Sequence, residues 1–335
     1  MTVIVHESDA DISPLEGRTL SVVGYGNQGR PWALNLRDSG LDVTVCVRAD
    51  ETRERAAADG FEVADLGAAS RFDVVCILVP DDAISSLPLH PRSEALVVVA
   101  SGYTLAFNNS NNNNSNSNNA RFAPACDVAL IAPRMLGPEV RRCYEEGVGF
   151  ITAFGVHADV TGRARPRALS VAKALGGLRQ GAIELTPTQE AVLDLSVEQA
   201  LAPALRRVTQ SFVEVMLEHG IPLEAVLVEL FLSGEVERTY RLLRTEGYVA
   251  QMEHHSPVSQ YGQLSREHEF DDLDVPARMR TIVDGISSGR FAEEWEAEVE
   301  AGFANYDRLK QAAAGPAIAA FEQELRRQLG EAAAR

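Results

Sequence analysis

Along the first half of the chain the apolar positions gather into short unbroken runs. Leu20, Val22 and Val23 form one, and residues 42–47, 72–80, 95–100, 127–133 and 148–154 form the others. Runs this short and this uniformly apolar are what strands covered on both faces require. Between them the spacing lengthens to a helical period: Trp32, Ala33, Leu34 and Leu36 share a stripe, and residues 51–59 read as a second helix. This alternation predicts an α/β fold on a doubly wound parallel sheet, with ligand bound beyond the carboxyl ends of the strands. From about Ala182 the strand signal fades. Residues 187–218, 222–247 and 291–329 carry helical periodicity instead, so the second half is expected to be all-helical. The pattern divides the chain into residues 1–182 and 183–335. Residues 108–119 are almost entirely Asn and Ser and cannot build a core. They read as a flexible loop, or as a linker standing in for a native one, with no chemical role.

The first strand run leads into Gly24-Tyr25-Gly26-Asn27-Gln28-Gly29, a G-x-G-x-x-G loop that opens the first helix. In that context the loop predicts a bound pyrophosphate and a dinucleotide-binding domain. Gly24 permits the tight turn, Gly26 the approach of backbone to phosphate, and Gly29 the close packing of helix on strand. A glycine-rich turn that binds nothing is the competing reading. The next strand run ends in Arg48-Ala49-Asp50-Glu51, about 20 residues on, where such folds carry their ribose-reading group. Residues at the later strand ends, Val79-Pro80-Asp81-Asp82, Ser101-Gly102 and Pro133-Arg134, are expected to converge on the same crevice.

Composition narrows the partners. The 335 residues are 45% hydrophobic and 24% charged, as in an ordinary globular protein, and long enough for about two domains. A formal charge of −17 argues against nucleic acid and membrane surfaces, whose binders carry basic patches. Cys46, Cys76, Cys126 and Cys143 lack metal-site spacing and read as reduced core thiols. The first residues lack a signal sequence, and no run reaches the ~20 apolar residues of a membrane helix, so a cytoplasmic protein is expected.

Chemistry in the second half starts with Glu190, Asp194 and Glu198, spaced four apart on one helix face. Such acids hold a cation or place a proton donor; equally, they form a solvated stripe. Glu229 sits in the apolar run 225–232, where an acid needs a partner or a task. His254, His255, Ser256 and Tyr261, around Pro257, break the helical pattern, and the histidines either supply protons or are simply solvated.

These pieces, in this order, resemble the ketol-acid reductoisomerase family of the short-chain class, over nearly the whole chain. The glycine loop with Ala33-Leu34-Asn35-Leu36-Arg37-Asp38-Ser39-Gly40 is similar to its GYGSQG…ALNLRDSG opening. Leu78-Val79-Pro80-Asp81-Asp82 resembles LLPDE, and Ala132-Pro133-Arg134 resembles APK. Residues 181–199 resemble GVIETTF…DLFGEQ, and residues 256–262 resemble SNTAEYG. The resemblance implies a Rossmann domain followed by a knotted helical domain, in a homodimer with shared active sites. It also implies an active site around two magnesium ions. Asp194 and Glu198 fall at the metal-ligand positions, Glu190 at a nearby acid, Glu229 at the first of a glutamate pair and Ser256 at the substrate serine. The match fails at Ser101 for a histidine, Arg134 for the lysine and Ser233 for the second glutamate.

Reductoisomerisation needs divalent ions to stabilise an alkoxide while an alkyl group migrates. Hydride delivery to a C=N bond needs a nicotinamide, a pocket and one proton donor. The departures therefore favour an imine reductase that does not require Mg²⁺. Asp194 would be its proton donor or iminium stabiliser, Glu198 and Glu229 its electrostatic partners, and no residue a metal ligand. A magnesium-dependent reductoisomerase, a ketone reductase and a dinucleotide-binding pseudoenzyme are the alternatives. Asp50 and Glu51, in place of the serines of NADP-binding members, favour NADH, while Arg48 favours NADPH. The partner expected is a small imine or keto substrate.

Overall fold

The structure is a computed structural model that describes residues 3–107, 125–313 and 323–328. The Asn/Ser stretch 108–119 and part of the helical stretch 291–329 lie outside the described residues. Two compact units result, Met1–Asp194 and Leu195–Arg335. The division falls later than the 182/183 boundary read from the pattern, because the helix after residue 186 is tied to the first unit through Glu190.

The first unit holds a nine-stranded sheet of β1 (Ile4–Val5), β2 (Leu20–Val23), β3 (Val43–Cys46), β4 (Glu62–Ala64), β5 (Val74–Ile77), β6 (Leu96–Val99), β7 (Asp127–Pro133), β8 (Thr152–Ala158) and β9 (Ala182–Glu184), in the order β1-β9-β8-β7-β6-β5-β2-β3-β4. Strands β4, β3, β2, β5, β6 and β7 run parallel, in register Val23↔Ile77↔Val99 across the centre. At the far edge β8 is antiparallel to β7, and β1 to β9. The apolar run 148–154 anticipated β8 too early. Gly147 and Gly149, both at positive φ, turn the chain before the strand begins at Thr152.

Helices α1 (Gly29–Asp38), α2 (Glu51–Ala58), α3 (Asp81–Ile84), α4 (Tyr103–Phe107), α5 (Gly137–Glu145), α6 (Ala164–Ala174) and α7 (Pro187–Ser196) accompany the sheet. Both faces are buried, which explains the unbroken apolar runs. In β5, Val74 and Cys76 pack with Trp32, Leu36 and Leu175, while Val75 and Ile77 pack on the other side with Ile84, Val97 and Leu130. All four cysteines are buried and free. Burial pushes the Cys46 thiol up to about 11 and that of Cys76 to about 12.

The second unit is helical: α8 (Ala202–Glu218), α9 (Leu223–Leu227), α10 (Glu235–Thr245), α11 (Pro257–Arg266), α12 (Val275–Ser287), α13 (Arg290–Glu300) and α14 (Ala304–Ala313). Two of the expected long helices are interrupted by five-residue π turns, Val197–Leu201 and Val228–Leu232. Among the described residues no helix is long and apolar enough to cross a membrane.

Candidate active site

Parallel pairing sets the carboxyl ends of β2, β3, β5, β6 and β7 along one edge, and the candidate residues gather there. At the end of β2, Gly24 has φ +93°, and a Cβ on it would lie 2.6 Å from the Leu78 carbonyl. Only glycine holds that turn. A Cβ on Gly29 would collide with the Gly24 carbonyl, so α1 packs hard on the loop, whereas Gly26 faces open space. A tight turn with one bare, open glycine before a ten-residue helix fits a pyrophosphate. Asn27 is exposed beside Gly26, and Gln28 donates to the Met135 carbonyl at 3.3 Å.

Tyr25 takes a different place from the one its position in the motif suggests. Its ring is 2% exposed against Phe61, and its hydroxyl donates to Asp59 at 2.8 Å beside Arg30, which donates to the same carboxylate at 2.7 Å. It anchors the loop to the core, and burial with the Asp59 charge pushes its phenol up. At the end of β3, Arg48 is 79% exposed and lies 3.4 Å from Asp50 Oδ2. Asp50 caps α2, accepting from the Thr52 N–H at 3.0 Å and from the Thr52 hydroxyl. These hydrogen bonds from Thr52 and the Arg48 charge hold its carboxyl below the usual range. The carboxylate expected to read the ribose is thus engaged by Thr52 and Arg48.

The polar centre of this edge is built by Arg134, just past β7. Its backbone N–H is fixed on the Ile151 carbonyl at 2.9 Å. Its guanidinium donates through Nη1 to Glu190 Oε1 at 2.8 Å and through Nη2 to Asp194 Oδ1 at 2.7 Å, both on α7. Glu190, 2% exposed, also accepts the Gly102 N–H at 2.7 Å. A side chain on Gly102 would meet that carboxylate and the Pro187 carbonyl, so the loop after β6 reaches α7 only as glycine. Burial pushes the Glu190 carboxyl up, with Gly102 and Arg134 offsetting part of the rise. Ser101 beside it accepts the Tyr103 N–H at 3.1 Å. After β5, Val79 and Pro80 lead to Asp81, which accepts from the Thr104 hydroxyl at 2.7 Å. Burial pushes Asp81 up as well, and the charges of Asp82 and Asp194 add to the rise. Pro133, the last residue of β7, completes the edge.

The remaining candidates belong to the second unit. Glu198 lies in the first π turn and Glu229 in the second. Glu229 is exposed, as are Ala225 and Phe231 of the same apolar run. Ser256 is the N-cap of α11, accepting the Ser259 N–H, so residues around Pro257 start a helix instead of breaking one. His254 Nε2 lies 2.8 Å from Glu246, and Tyr261 is 71% exposed.

Two features escaped the sequence reading. Gly137 opens α5 so close to the glycine loop that a Cβ would strike the Asn27 carbonyl, and only the Gly-Pro pair after Leu136 signals it. The π turns have no simple sequence signal, yet such turns cluster at functional positions.

A mostly parallel sheet with a glycine loop at its first strand-helix turn, and polar strand ends beside it, defines the first unit as a dinucleotide-binding domain joined to a helical unit. Family comparison agrees. Residues 14–181 match the acetohydroxy acid isomeroreductase NADPH-binding domain, and residues 188–331 match the ketol-acid reductoisomerase C-terminal domain. A ketol-acid reductoisomerase (NADP(+)) of Caldivirga maquilingensis is 35% identical over 334 residues, 98% of each chain. One of Methanopyrus kandleri is 34% identical over 98% of this chain and 99% of its own. The solved structure of an NADH-preferring ketol-acid reductoisomerase from an uncultured archean superposes with a TM-score of 0.85 at 28% identity, covering 97% of this chain and 99% of that one. The chain belongs to the ketol-acid reductoisomerase family.

Proposed function

We propose that this member of the family is an NAD(P)H-dependent reductase that delivers hydride to a C=N bond without a divalent metal ion. The observation that carries the reading is the Arg134 guanidinium lying across Glu190 and Asp194. A metal ion bound at Asp194 would share that carboxylate with a fixed cation 2.7 Å away, and the positions of the family's lysine and second glutamate hold Arg134 and Ser233. Unlike the point charge of a lysine, the Arg134 fork occupies both carboxylates at once, and Ser233 withdraws a carboxylate, so together they weaken a two-magnesium centre. They do suit a substrate that brings its own positive charge.

When bound, the nicotinamide supplies hydride to the imine carbon, and the nitrogen takes a proton. Asp194, with one oxygen held by Arg134, serves as the electrostatic partner of the iminium more readily than as its acid. Asp81, whose carboxyl burial pushes up, is a second carboxyl at this edge that can hold the proton. Glu190 and Gly102 position Arg134. Glu198, Glu229 and Ser256 are assigned to the substrate's polar groups in a homodimer with shared sites. In support of the dimer, α8 buries none of its residues and leaves Val208 62% and Phe212 44% exposed, an apolar stripe for a second copy to cover. NADH is the preferred cofactor in this reading, on the strength of Asp50 and of the NADH-preferring structural neighbour.

A magnesium-dependent reductoisomerase is the second reading, favoured by full-length relatives of that name and by the retention of Asp194 and Glu198. Cofactor oxidation over a panel of cyclic imines, ketones and acetolactate separates the two. Imine turnover supports the proposal; acetolactate turnover supports the second reading. Ketone turnover without amine dependence makes the chain a ketone reductase, and cofactor binding with no oxidation makes it a pseudoenzyme.

A further inference from the structure

At the opposite edge of the sheet, where β5, β6 and β7 begin, a cavity of about 330 Å³ opens beside Ser13 and Pro14 and the first turn of α6. Parallel strands of four residues, at about 3.3 Å per residue, put this edge roughly 13 Å from the glycine loop's edge. The lining includes Arg18, Arg92, Arg163 and Arg167, four guanidiniums, against the three carboxylates Glu16, Asp73 and Glu94. With Asp127, which pairs with Arg167, the charges here balance, a local departure from a chain of net charge −17.

Arg167 is built into the wall. Its side chain is 8% exposed, and it donates to Asp127 at 3.1 Å and to the Glu94 and Asp73 carbonyls at 2.9 Å each. The other three are less committed. Arg92 meets Asp73 at 2.9 Å, Arg18 meets the same carboxylate at 3.5 Å, and Arg163 meets Glu94 at 3.5 Å. Asp73 also accepts the Thr19 N–H at 3.0 Å and the Thr19 hydroxyl at 2.9 Å, so one carboxylate serves four donor groups. Among the described residues, most N–H donors of Arg18, Arg92 and Arg163 have no acceptor. These three side chains, 44%, 49% and 56% exposed, leave guanidinium forks whose N–H groups face solvent and can take the oxygens of an anion.

We propose that this cavity is a second binding site, for a small dianion whose oxygens bridge Arg18, Arg92 and Arg163. A phosphate monoester and a dicarboxylate share that chemistry, and the cavity volume matches small-molecule pockets. The site is independent of the hydride-transfer reading, since none of its residues belongs to the cofactor edge.

The test is calorimetric titration of the full chain, saturated with NADH to keep the glycine loop occupied. Inorganic phosphate and malonate are the probes, and sodium chloride at matched ionic strength is the control. One saturable site per chain is expected, weakened about tenfold by Arg92→Gln and by Arg163→Gln, as the loss of one charge-assisted hydrogen bond implies. NADH affinity should stay unchanged in both variants. Arg163→Gln is the safer of the two for folding, because its one carboxylate partner is exposed Glu94. Tighter phosphate binding assigns the site to phosphate esters, and tighter malonate binding to dicarboxylates. No saturable heat beyond the salt control, or binding that survives both substitutions, overturns the proposal.

Discussion

Arg134→Ala removes the cation from two carboxylates of unequal burial, and the inequality sets the outcome. Breaking a fully buried pair costs about 3–5 kcal/mol, while an exposed pair contributes about 0–1 kcal/mol. Glu190 is 2% exposed but Arg134 is 29% exposed, and Glu190 keeps the Gly102 N–H after the loss. The substitution should therefore cost about 2–3 kcal/mol, nearly all of it from the stranded Glu190 charge. Glu190→Gln tells the rest. Burial already pushes the Glu190 carboxyl up, so its ionised form is held against a penalty, and the amide should cost about 1 kcal/mol or less. In the double variant no charge is stranded, and most of the Arg134→Ala loss should return, giving a coupling of about 1–2 kcal/mol. Urea unfolding of the four proteins, with equal m-values required, measures it. A double variant no more stable than Arg134→Ala would refute the claim that the guanidinium compensates a buried carboxylate. The pH dependence carries the same sign. With its folded pKa raised, Glu190 contributes stability below its unfolded value of 4.5, and that contribution is lost as pH rises through the folded value; Glu190→Gln should remove this limb.

Three further outcomes follow from the geometry. Gly137→Ala places a methyl against the Asn27 carbonyl and should weaken NADH binding at least about tenfold, as a ~1.4 kcal/mol distortion of the loop implies; unchanged binding would show that α5 does not support it. Asp50→Ala loses the α2 cap, costing about 0.5–2 kcal/mol in thermal melts, and shifts the ratio of NADPH to NADH affinity upward; an unchanged ratio removes Asp50 as the ribose reader. Asp73 is pushed up by burial but pulled down further by Thr19, Arg92 and Arg18, so its net shift is below 3.8. Its contribution is present above pH 3.8 and lost as pH falls through the folded value, so Asp73→Asn should flatten the acid limb of stability, and an unaltered limb contradicts the pairing.

How much of this was legible beforehand varies with the physics of each element. The central strands were readable because both faces are buried, and the glycine loop because a positive φ at Gly24 and a close approach at Gly29 restrict residue choice. β4 and β9, three residues each and half-exposed, left no apolar run to read. The site divides similarly. The spacing of Glu190 and Asp194 put them on one helix face, but the spacing is silent about which cation joins them, since Arg134 is brought there by the β7–β8 pairing. The motif gives positions and not side-chain directions, so it did not foretell that the Tyr25 ring would be buried against Phe61. Glu229 stood out because it lies in an apolar run, but most of that run is itself not buried within one chain.

The central claim is the proposal that this chain reduces a C=N bond without a divalent metal ion. The most direct measurement is NADH oxidation by the chelator-treated enzyme with a cyclic imine, before and after adding Mg²⁺. The account predicts turnover that EDTA leaves intact and that Mg²⁺ does not raise. Activity abolished by EDTA and restored by Mg²⁺, with acetolactate as the preferred substrate, would contradict it.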